Sequence, residues 1–116
     1  MWVDLLRVVA VASWVERART TLGPAAALTL VRRRGAARQR RDAEGRGRLA
    51  RAIRVLDRFM PPGANCYRRV LLELALDAGA AREPVSMGFR SLRGRISGHA
   101  WLGAAPDDLF AARVAL

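Results

Sequence analysis

The first part of the chain has its apolar side chains at the spacing of an amphipathic helix. The positions that recur at intervals of three and four residues are Leu5, Leu6, Val9 and Ala12. This spacing predicts a helix over about residues 2–19. Gly23-Pro24 closes that helix, and residues 25–31 predict a second, shorter helical segment.

A second amphipathic pattern ends at a pair of prolines. Its apolar positions are Leu49, Ala52, Ile53, Leu56 and Phe59, and arginines fill the opposite face. This spacing predicts a helix over residues 46–59 that stops at Pro61-Pro62. Its apolar face is expected to cover the next helix. Asp57 is placed to pair with Arg54 across one turn.

The next helix begins beside the only cysteine of the chain. The Pro-Pro-Gly sequence at residues 61–63 forbids helix before Cys66, whereas residues 67–78 carry an apolar helical face. The members of this face are Val70, Leu71, Leu74 and Ala78. Asn65 is suited to cap this helix, which puts Cys66 in its first turn. There the helix dipole favours a negatively charged sulfur.

After this helix the pattern changes from helical to alternating. Residues 84–89 and 96–102 alternate around a turn at residues 91–95, which predicts a β-hairpin. Residues 109–114 predict a short closing helix.

The order of these elements predicts an α+β fold. Only helices are expected in an N-terminal segment, residues 1–45, which includes an arginine-rich stretch. The core, residues 46–116, is expected to combine the helix that begins at Cys66 with a small antiparallel sheet. At 116 residues the chain is long enough for one modest core.

Arginine dominates the charge of the chain. The net charge is +11, all 21 basic residues are arginine and lysine is absent, which we attribute to genome composition rather than to arginine chemistry. Between Arg32 and Arg48 only Asp42 and Glu44 oppose the positive charge. This stretch suits a nucleic-acid or anionic-membrane surface. Because it lacks aromatic residues for base stacking, we favour a solvated loop or a frayed helix and do not expect a nucleic-acid partner.

Composition argues against several classes of protein. A single cysteine cannot form an internal disulfide, so the simplest setting is the reducing cytoplasm. The apolar N-terminus is not expected to span a membrane, because Asp4 and Arg7 interrupt it and its longest uncharged run, residues 8–15, is short. One histidine and one cysteine do not make a zinc site, and no glycine-rich phosphate loop is present. We therefore expect neither a metal nor a cofactor.

Cys66 and His99 are the only cysteine and the only histidine, and they form the candidate catalytic pair. A thiol becomes a useful nucleophile as the thiolate, which a nearby imidazole and a helix N-terminus both favour. A lone cysteine is more often a small buried side chain, and a lone histidine is more often structural. Here, however, a cysteine at a helix start precedes a strand pair and then a histidine followed by an aromatic residue. Alternation puts Trp101 on the face of His99 and Ala100 on the other face.

The segments that carry this order resemble a known family. They are Asn65-Cys66-Tyr67-Arg68-Arg69-Val70-Leu71-Leu72-Glu73-Leu74-Ala75-Leu76, Ala78-Gly79-Ala80, Val85-Ser86-Met87-Gly88-Phe89 and Gly98-His99-Ala100-Trp101. As a set, they resemble the transglutaminase-like leader peptidases that process lasso-peptide precursors, as in microcin J25 maturation. The resemblance covers residues 48–108 and implies a papain/transglutaminase-like core.

The resemblance implies a bacterial cysteine protease of lasso-peptide biosynthesis. In that family the thiolate attacks the peptide bond between the leader and the core of a ribosomally made precursor, and the histidine transfers protons. The resemblance gives these roles to Cys66 and His99. It also implies two partners, a winged-helix protein that recognises the leader and an asparagine-synthetase-like cyclase. Residues 1–45 show no strand alternation and are too few for the recognition unit, so we expect it on a separate protein.

The residue that orients the histidine is sought downstream, where Asp107 and Asp108 are the available carboxylates. A two-residue turn at Gly103-Ala104 would return the chain beside the second strand, with Asp108 opposite His99 and Asp107 on the other face. This register makes Asp108 the third catalytic residue. Gly103 stands where the family usually has an acidic residue, and the link is shorter here. Asp107, Asp108 and an inactive, degenerate member therefore all stay open.

A second function, from a different class, fits the same sequence. It is a non-catalytic basic adaptor that binds an acidic peptide, a nucleic acid or a membrane surface through residues 32–48. Fast alkylation of Cys66 by iodoacetamide near neutral pH would favour the peptidase, since an ordinary thiol reacts slowly there.

Overall fold

The computed structural model describes residues 2–103 and 112–115. Four α-helices come first in the chain: α1 (Trp2–Thr21), α2 (Pro24–Ala36), α3 (Ala43–Phe59) and α4 (Cys66–Leu76). A short 3-10 helix (Ala80–Arg82) leads to three strands: β1 (Val85–Leu92), β2 (Arg95–Leu102) and β3 (Ala112–Ala115). Helices followed by a small antiparallel sheet confirm the α+β class.

Helix α1 confirms the first predicted helix and extends it to Thr21. The apolar face that it buries is formed by Val8, Val11, Ala12, Val15 and Ala18. Its other face leaves Trp2, Leu6 and Val9 exposed, so two positions that fit the apolar spacing lie outside the core. Pro24 is the first residue of α2, a position where its missing N–H is not needed.

The arginine-rich stretch, expected to be a solvated loop or a frayed helix, is helical at both ends and forms a connector in its middle. Helix α2 runs on to Ala36 and α3 begins at Ala43, which leaves residues 37–42 as a connector. Asp42 caps α3, because its Oδ1 accepts a hydrogen bond of 2.7 Å from the backbone N–H of Gly45. The buried faces of the two helices are formed by Ala27, Leu28, Val31, Gly35, Leu49, Ala52 and Ile53. Burial of these faces stabilises the two helices that carry Arg32, Arg33, Arg34, Arg46 and Arg48, whereas Arg38, Arg40 and Arg41 lie in the connector.

Helix α4 lies at the centre of the core. Its buried residues are Arg68, Val70, Leu71, Leu72, Leu74, Ala75 and Leu76, which cover more than the single predicted face. Helices α1, α2 and α3 and strand β2 all pack against it. Helix α2 comes so close at Gly35 that a Cβ there would lie 1.7 Å from the carbonyl oxygen of Leu74.

Asp77 ends α4 and ties it to the connector. This carboxylate is fully buried. Its Oδ1 accepts hydrogen bonds from the backbone N–H groups of Arg41 (2.9 Å) and Gly79 (3.1 Å), and its Oδ2 accepts one from Ala80 (3.2 Å). The guanidinium of Arg46 lies 3.3 Å from Oδ2. One buried side chain thus fixes both the end of α4 and the start of α3.

Strands β1 and β2 form the predicted hairpin with a tighter turn. Leu92 pairs with Arg95, so the turn consists of Arg93 and Gly94 alone, with φ angles of 53° and 77°. Two consecutive positive φ angles are the mark of a type I′ turn, whose twist matches that of the strands. The turn predicted over residues 91–95 is too long, because arginine does not signal a positive φ.

Strand β3 lies on the other side of β1, and the order in the sheet is β2-β1-β3. Met87 of β1 pairs with Val114 of β3 in antiparallel register. The closing helix predicted over residues 109–114 is therefore wrong for residues 112–114. Their backbone groups are satisfied by the edge of β1 instead.

One hydrophobic core unites the two predicted segments. It includes Val8, Val15 and Val31 from the first segment and Leu49, Leu71 and Val85 from the second. The boundary predicted between residues 45 and 46 falls inside α3. In the part of the chain that the structure describes, no helix has the length and apolar character that are needed to cross a membrane.

Candidate active site

Cys66 is the first residue of α4, as the sequence predicts. Before it, the chain reverses direction at Gly63, whose φ of 125° suits glycine alone. Asn65 caps the helix, because its Oδ1 accepts a hydrogen bond of 2.9 Å from the backbone N–H of Arg68. The sulfur therefore lies at the end of the helix where backbone N–H groups lack intrahelical acceptors.

Arg68 is fully buried one turn into the same helix and makes five hydrogen bonds. It donates to both carboxylate oxygens of Glu16 (2.7 and 3.2 Å) and to Oδ1 of Asp57 (2.9 Å). It also donates to the carbonyl oxygens of Pro61 (2.5 Å) and Gly63 (3.1 Å). These bonds engage every N–H of the guanidinium. They connect α1, α3 and the preceding turn to the start of α4.

Asp57 is also fully buried and holds the cap of α4 in place. Its Oδ2 accepts a hydrogen bond of 2.9 Å from the backbone N–H of Asn65, while its Oδ1 is bound to Arg68. Arg69 Nη1 lies 3.6 Å from Oδ2. The predicted pairing of Asp57 with Arg54 is wrong, because Asp57 is buried against α4 whereas Arg54 is exposed.

The charges around Arg68 shift the pKa values of their neighbours. Hydrogen bonds from Arg19 and then from Arg68 lower the pKa of Glu16 to about 2. The hydrogen bond to Glu16 in turn raises the pKa of Arg68. Glu16 and Arg68 are therefore both ionised at neutral pH, and their attraction holds α1 against the first turn of α4.

The thiol of Cys66 is half-buried and lies against the outer edge of β2. The backbone N–H of Ala100 donates a hydrogen bond of 3.4 Å to Cys66 Sγ. Ala100 stands opposite Met87 of β1, yet its N–H is directed to the sulfur.

His99 directly precedes Ala100, and its side chain is exposed. Because only the carbonyl carbon separates its Cα from the nitrogen of Ala100, that Cα lies within about 6 Å of Cys66 Sγ. Ala100 and Leu102 pack against the core, so alternation puts the side chain of His99 on the opposite face of β2, as predicted. The fold thus brings the strand that carries the only histidine to the only thiol.

The carboxylates predicted to orient the histidine, Asp107 and Asp108, lie outside the described residues. Their assignment assumes a strand that returns beside β2, opposite His99. The strand described after them, β3, pairs with β1 instead, so this register does not apply to β3. The role of Asp108 stays a prediction.

A cavity of about 320 Å³ opens beside the thiol, between α3, α4 and β2. Its apolar lining is formed by Ala50, Ile53, Val70, Ala100, Trp101 and Leu102. Arg54, Arg69 and Glu73 add charged groups, and burial raises the pKa of Glu73. The cavity next to the sulfur is therefore lined by both apolar and charged side chains.

Sequence patterns alone do not single out Glu16, Asp57 and Arg68 as a group, although a signal for them exists. Each lies on the apolar stripe of its helix. Asp57, for example, follows Ile53 by one turn, and Arg68 precedes Leu72 by one turn. A charged residue in such a stripe has to be buried with a partner of opposite charge. Opposite charges in three neighbouring stripes therefore indicate an ion cluster.

A thiol at a helix N-terminus with a backbone donor to its sulfur is suited to acyl transfer through sulfur; the backbone of His99 lies next to this thiol, while the exposed side chain of His99 lies on the other face of β2. Among residues 2–103 and 112–115, no group of three or more His, Cys, Asp or Glu side chains is placed to hold a metal ion. Comparisons with protein-family models, with curated proteins and with solved structures found no match to this chain.

Proposed function

We propose that this protein is a cysteine peptidase with a papain/transglutaminase-like core, and that it removes the leader peptide from a lasso-peptide precursor. The observation that best supports the proposal is the 3.4 Å hydrogen bond from the N–H of Ala100 to Cys66 Sγ. It sets the thiol, at the N-terminus of α4, beside the residue that follows His99. The backbone of the strand that carries His99 therefore lies next to the thiol, and the proposal requires the imidazole to reach the sulfur around the edge of β2.

In the proposed reaction, His99 takes the thiol proton of Cys66 and the thiolate attacks the carbonyl carbon at the leader–core junction. The C–N bond then breaks and the leaving amine takes the proton from the imidazolium. The leader stays on Cys66 as a thioester. A water molecule that gives its proton to His99 hydrolyses the thioester and releases the leader carboxylate. The N–H group of Cys66, at the start of α4, is the proposed donor for the oxyanion, since that of Arg68 is bound to the Asn65 cap.

The cavity beside Cys66 is proposed to hold one side chain of the precursor next to the cleaved bond. Its lining by Ile53, Val70 and Leu102 favours an apolar side chain. Arg54 and Arg69 at the same cavity provide donors for the backbone carbonyl groups of the bound peptide. Such contacts would hold the scissile carbonyl close to the sulfur.

Asp108 is proposed to orient the imidazole of His99, and Asp107 is the alternative. An orienting carboxylate fixes the tautomer and stabilises the imidazolium, so its loss slows turnover by orders of magnitude. Leader cleavage by Asp107→Asn and Asp108→Asn compares the two. Near-wild-type rates in both would exclude each of them and leave the role to a backbone carbonyl or a partner's side chain.

The leader is proposed to be presented by a separate winged-helix protein, and the ring to be closed by an asparagine-synthetase-like cyclase, all in the cytoplasm. The first part of the fold is not itself such a recognition unit. Between residues 2 and 82 the chain forms helices only, whereas a winged-helix unit needs strands.

Thiol reactivity tests the proposal without a known precursor. We expect iodoacetamide to alkylate Cys66 rapidly at about pH 6.5, and the His99→Ala variant to react more slowly, because the imidazole no longer takes the thiol proton. Mass spectrometry of the modified protein gives both rates. Equal, slow rates in the two proteins would contradict a thiol–imidazole pair and favour a non-catalytic role.

Cleavage of a precursor is the direct test. Cys66→Ala and His99→Ala are each expected to abolish leader removal, and the double variant is expected to be no worse, because nucleophile and base act as a unit. Circular dichroism checks that each variant is folded. Cleavage by Cys66→Ala at more than about a few per cent of the wild-type rate would mean that another group is the nucleophile.

A further inference from the structure

A second cavity, of about 540 Å³, lies at the opposite end of α4 from Cys66. The connector between α2 and α3 forms one wall, and residues of α1 and α3 close it. Five of its lining residues are arginines: Arg7, Arg38, Arg40, Arg41 and Arg48. Asp42 is the single acidic residue among the lining residues. The cavity is thus a concave surface with a surplus of positive charge.

Most of this charge is not neutralised within the described residues. Arg41 forms an ion pair of 2.7 Å with Asp4, and Asp42 uses its Oδ1 to cap α3. Arg38, Arg40 and Arg48 have exposed side chains, and none of them is within 4.0 Å of a carboxylate that the structure describes. Like charges around one concave surface repel each other, and a bound anion relieves that repulsion.

The donors that face the cavity indicate which kind of anion fits. Backbone N–H groups cradle phosphate in glycine-rich loops, and three of those at this cavity are already engaged. Those of Arg38, Arg41 and Gly45 donate to Gly35, Asp77 and Asp42 in turn, at distances of 2.9, 2.9 and 2.7 Å. The exposed charged donors are guanidinium groups, whose planar forks match carboxylates and phosphates.

The shape and composition of the cavity argue against nucleic acid. No aromatic residue is among the lining residues, so bases have nothing to stack on. A duplex is too wide to enter a cavity of about 540 Å³.

We propose that this cavity binds an acidic segment of polypeptide, with its carboxylates on the guanidinium groups of Arg38, Arg40 and Arg48. This binding does not depend on Cys66.

The test is binding of a fluorescein-labelled oligoglutamate peptide, followed by fluorescence anisotropy at about 150 mM salt, where long-range charge effects are screened. The protein carries Cys66→Ala to exclude covalent chemistry. We expect Arg38→Gln/Arg40→Gln/Arg48→Gln to weaken binding about tenfold or more. Thermal unfolding checks that the variant keeps the fold.

A matched control separates the cavity from net charge. Arg33→Gln/Arg51→Gln/Arg58→Gln removes three exposed arginines outside the cavity, and we expect it to weaken binding about twofold or less. An oligoglutamine peptide of the same length is expected not to bind. Equal losses in the two triple variants would overturn the proposal in favour of nonspecific attraction. Stronger competition by tripolyphosphate or by a single-stranded oligonucleotide would overturn it in favour of a phosphate ligand.

Discussion

Arg68 and Arg69 are neighbours in sequence with opposite surroundings. The side chain of Arg68 is fully buried, and its Nη1 lies 2.9 Å from Asp57 Oδ1. The side chain of Arg69 is 39% exposed, and its Nη1 lies 3.6 Å from Oδ2 of the same carboxylate. Removal of a buried partner leaves an uncompensated charge in the core, whereas an exposed ion pair contributes little. The two residues therefore form a matched pair for mutation.

We expect Arg68→Ala to lower the free energy of unfolding by about 3–5 kcal/mol, because Asp57 then stays buried without its main partner. Arg69→Ala is expected to cost less than about 1 kcal/mol. Urea unfolding followed by circular dichroism measures both values. Similar losses in the two variants would show that Arg68 is not the group that compensates Asp57.

Glu16 is expected to make stability depend on pH in the acid range. Its pKa of about 2 in the folded protein lies below the ordinary value of 4.5, so folding favours the ionised form. The resulting stabilisation is fully present above pH 4.5 and is lost as the pH falls towards about 2. We expect Glu16→Gln to melt at a lower temperature than the wild type at about pH 7, and the gap to close towards about pH 2. A gap that does not change with pH would contradict this assignment.

The residues of the candidate site differ in how far the sequence reveals them. Asn65 and Cys66 follow from local rules, since a Pro-Pro-Gly break and a capping amide define where a helix begins. The partner of Asp57 depends on how α3 and α4 pack, and local reasoning chooses Arg54 because it is the nearest opposite charge. The approach of Ala100 to the thiol is also a product of packing, which periodicity does not contain.

At the scale of elements, Gly35 and Gly47 differ in how closely neighbouring atoms approach the position of a Cβ. At Gly35 in α2, a Cβ would lie 1.7 Å from the backbone oxygen of Leu74 in α4, which is a severe overlap. At Gly47 in α3, nothing lies within 4 Å of the same position. Glycine is thus required for helix packing at the first position and is only a weak helix former at the second.

Gly35→Ala is therefore expected to push α2 away from α4 and to destabilise the fold by about 1–3 kcal/mol or more. Gly47→Ala is expected to stabilise it by about 0.5–1 kcal/mol, because alanine loses less conformational entropy in a helix. Thermal unfolding of the two variants gives shifts of opposite sign. A Gly35→Ala variant as stable as the wild type would contradict the close packing of α2 against α4.

The strands show where pattern suffices and where it fails. Strands β1 and β2 have eight residues each, and most of each strand alternates, at residues 85–89 and 96–102, which is long enough for the sequence to predict them. Strand β3 has four residues, and Ala112-Arg113-Val114-Ala115 fits a helix equally well. Pairing with the sheet determines the strand conformation of these residues, because the backbone N–H and C=O groups along this edge of β1 need hydrogen-bond partners.

At the scale of the whole molecule, α4 is the central helix, and the other helices and strand β2 pack around it. The sequence predicts one apolar face for this helix, but Leu72 and Leu76 are also buried, so it is surrounded rather than covered. A helix that is apolar on nearly all sides belongs in the interior, and counting its apolar positions would predict this much. Which elements surround it follows only from the fold.

The connector between α2 and α3 gives the molecule a natural place to be divided. Cutting after Arg38, in an exposed part of the connector, separates α1 and α2 from α3, α4 and the sheet. Each fragment then exposes an apolar surface that the other covers, since Val15 and Val31 belong to the same core as Leu49 and Leu71.

We expect residues 1–38 and residues 39–116 to be unstable alone and to assemble one to one when they are produced together. Copurification measures this, and Val15→Asp in the short fragment is expected to prevent it. Two fragments that fold separately and do not associate would contradict a shared core. If they associate, the connector only links two segments whose apolar surfaces are enough to hold them together.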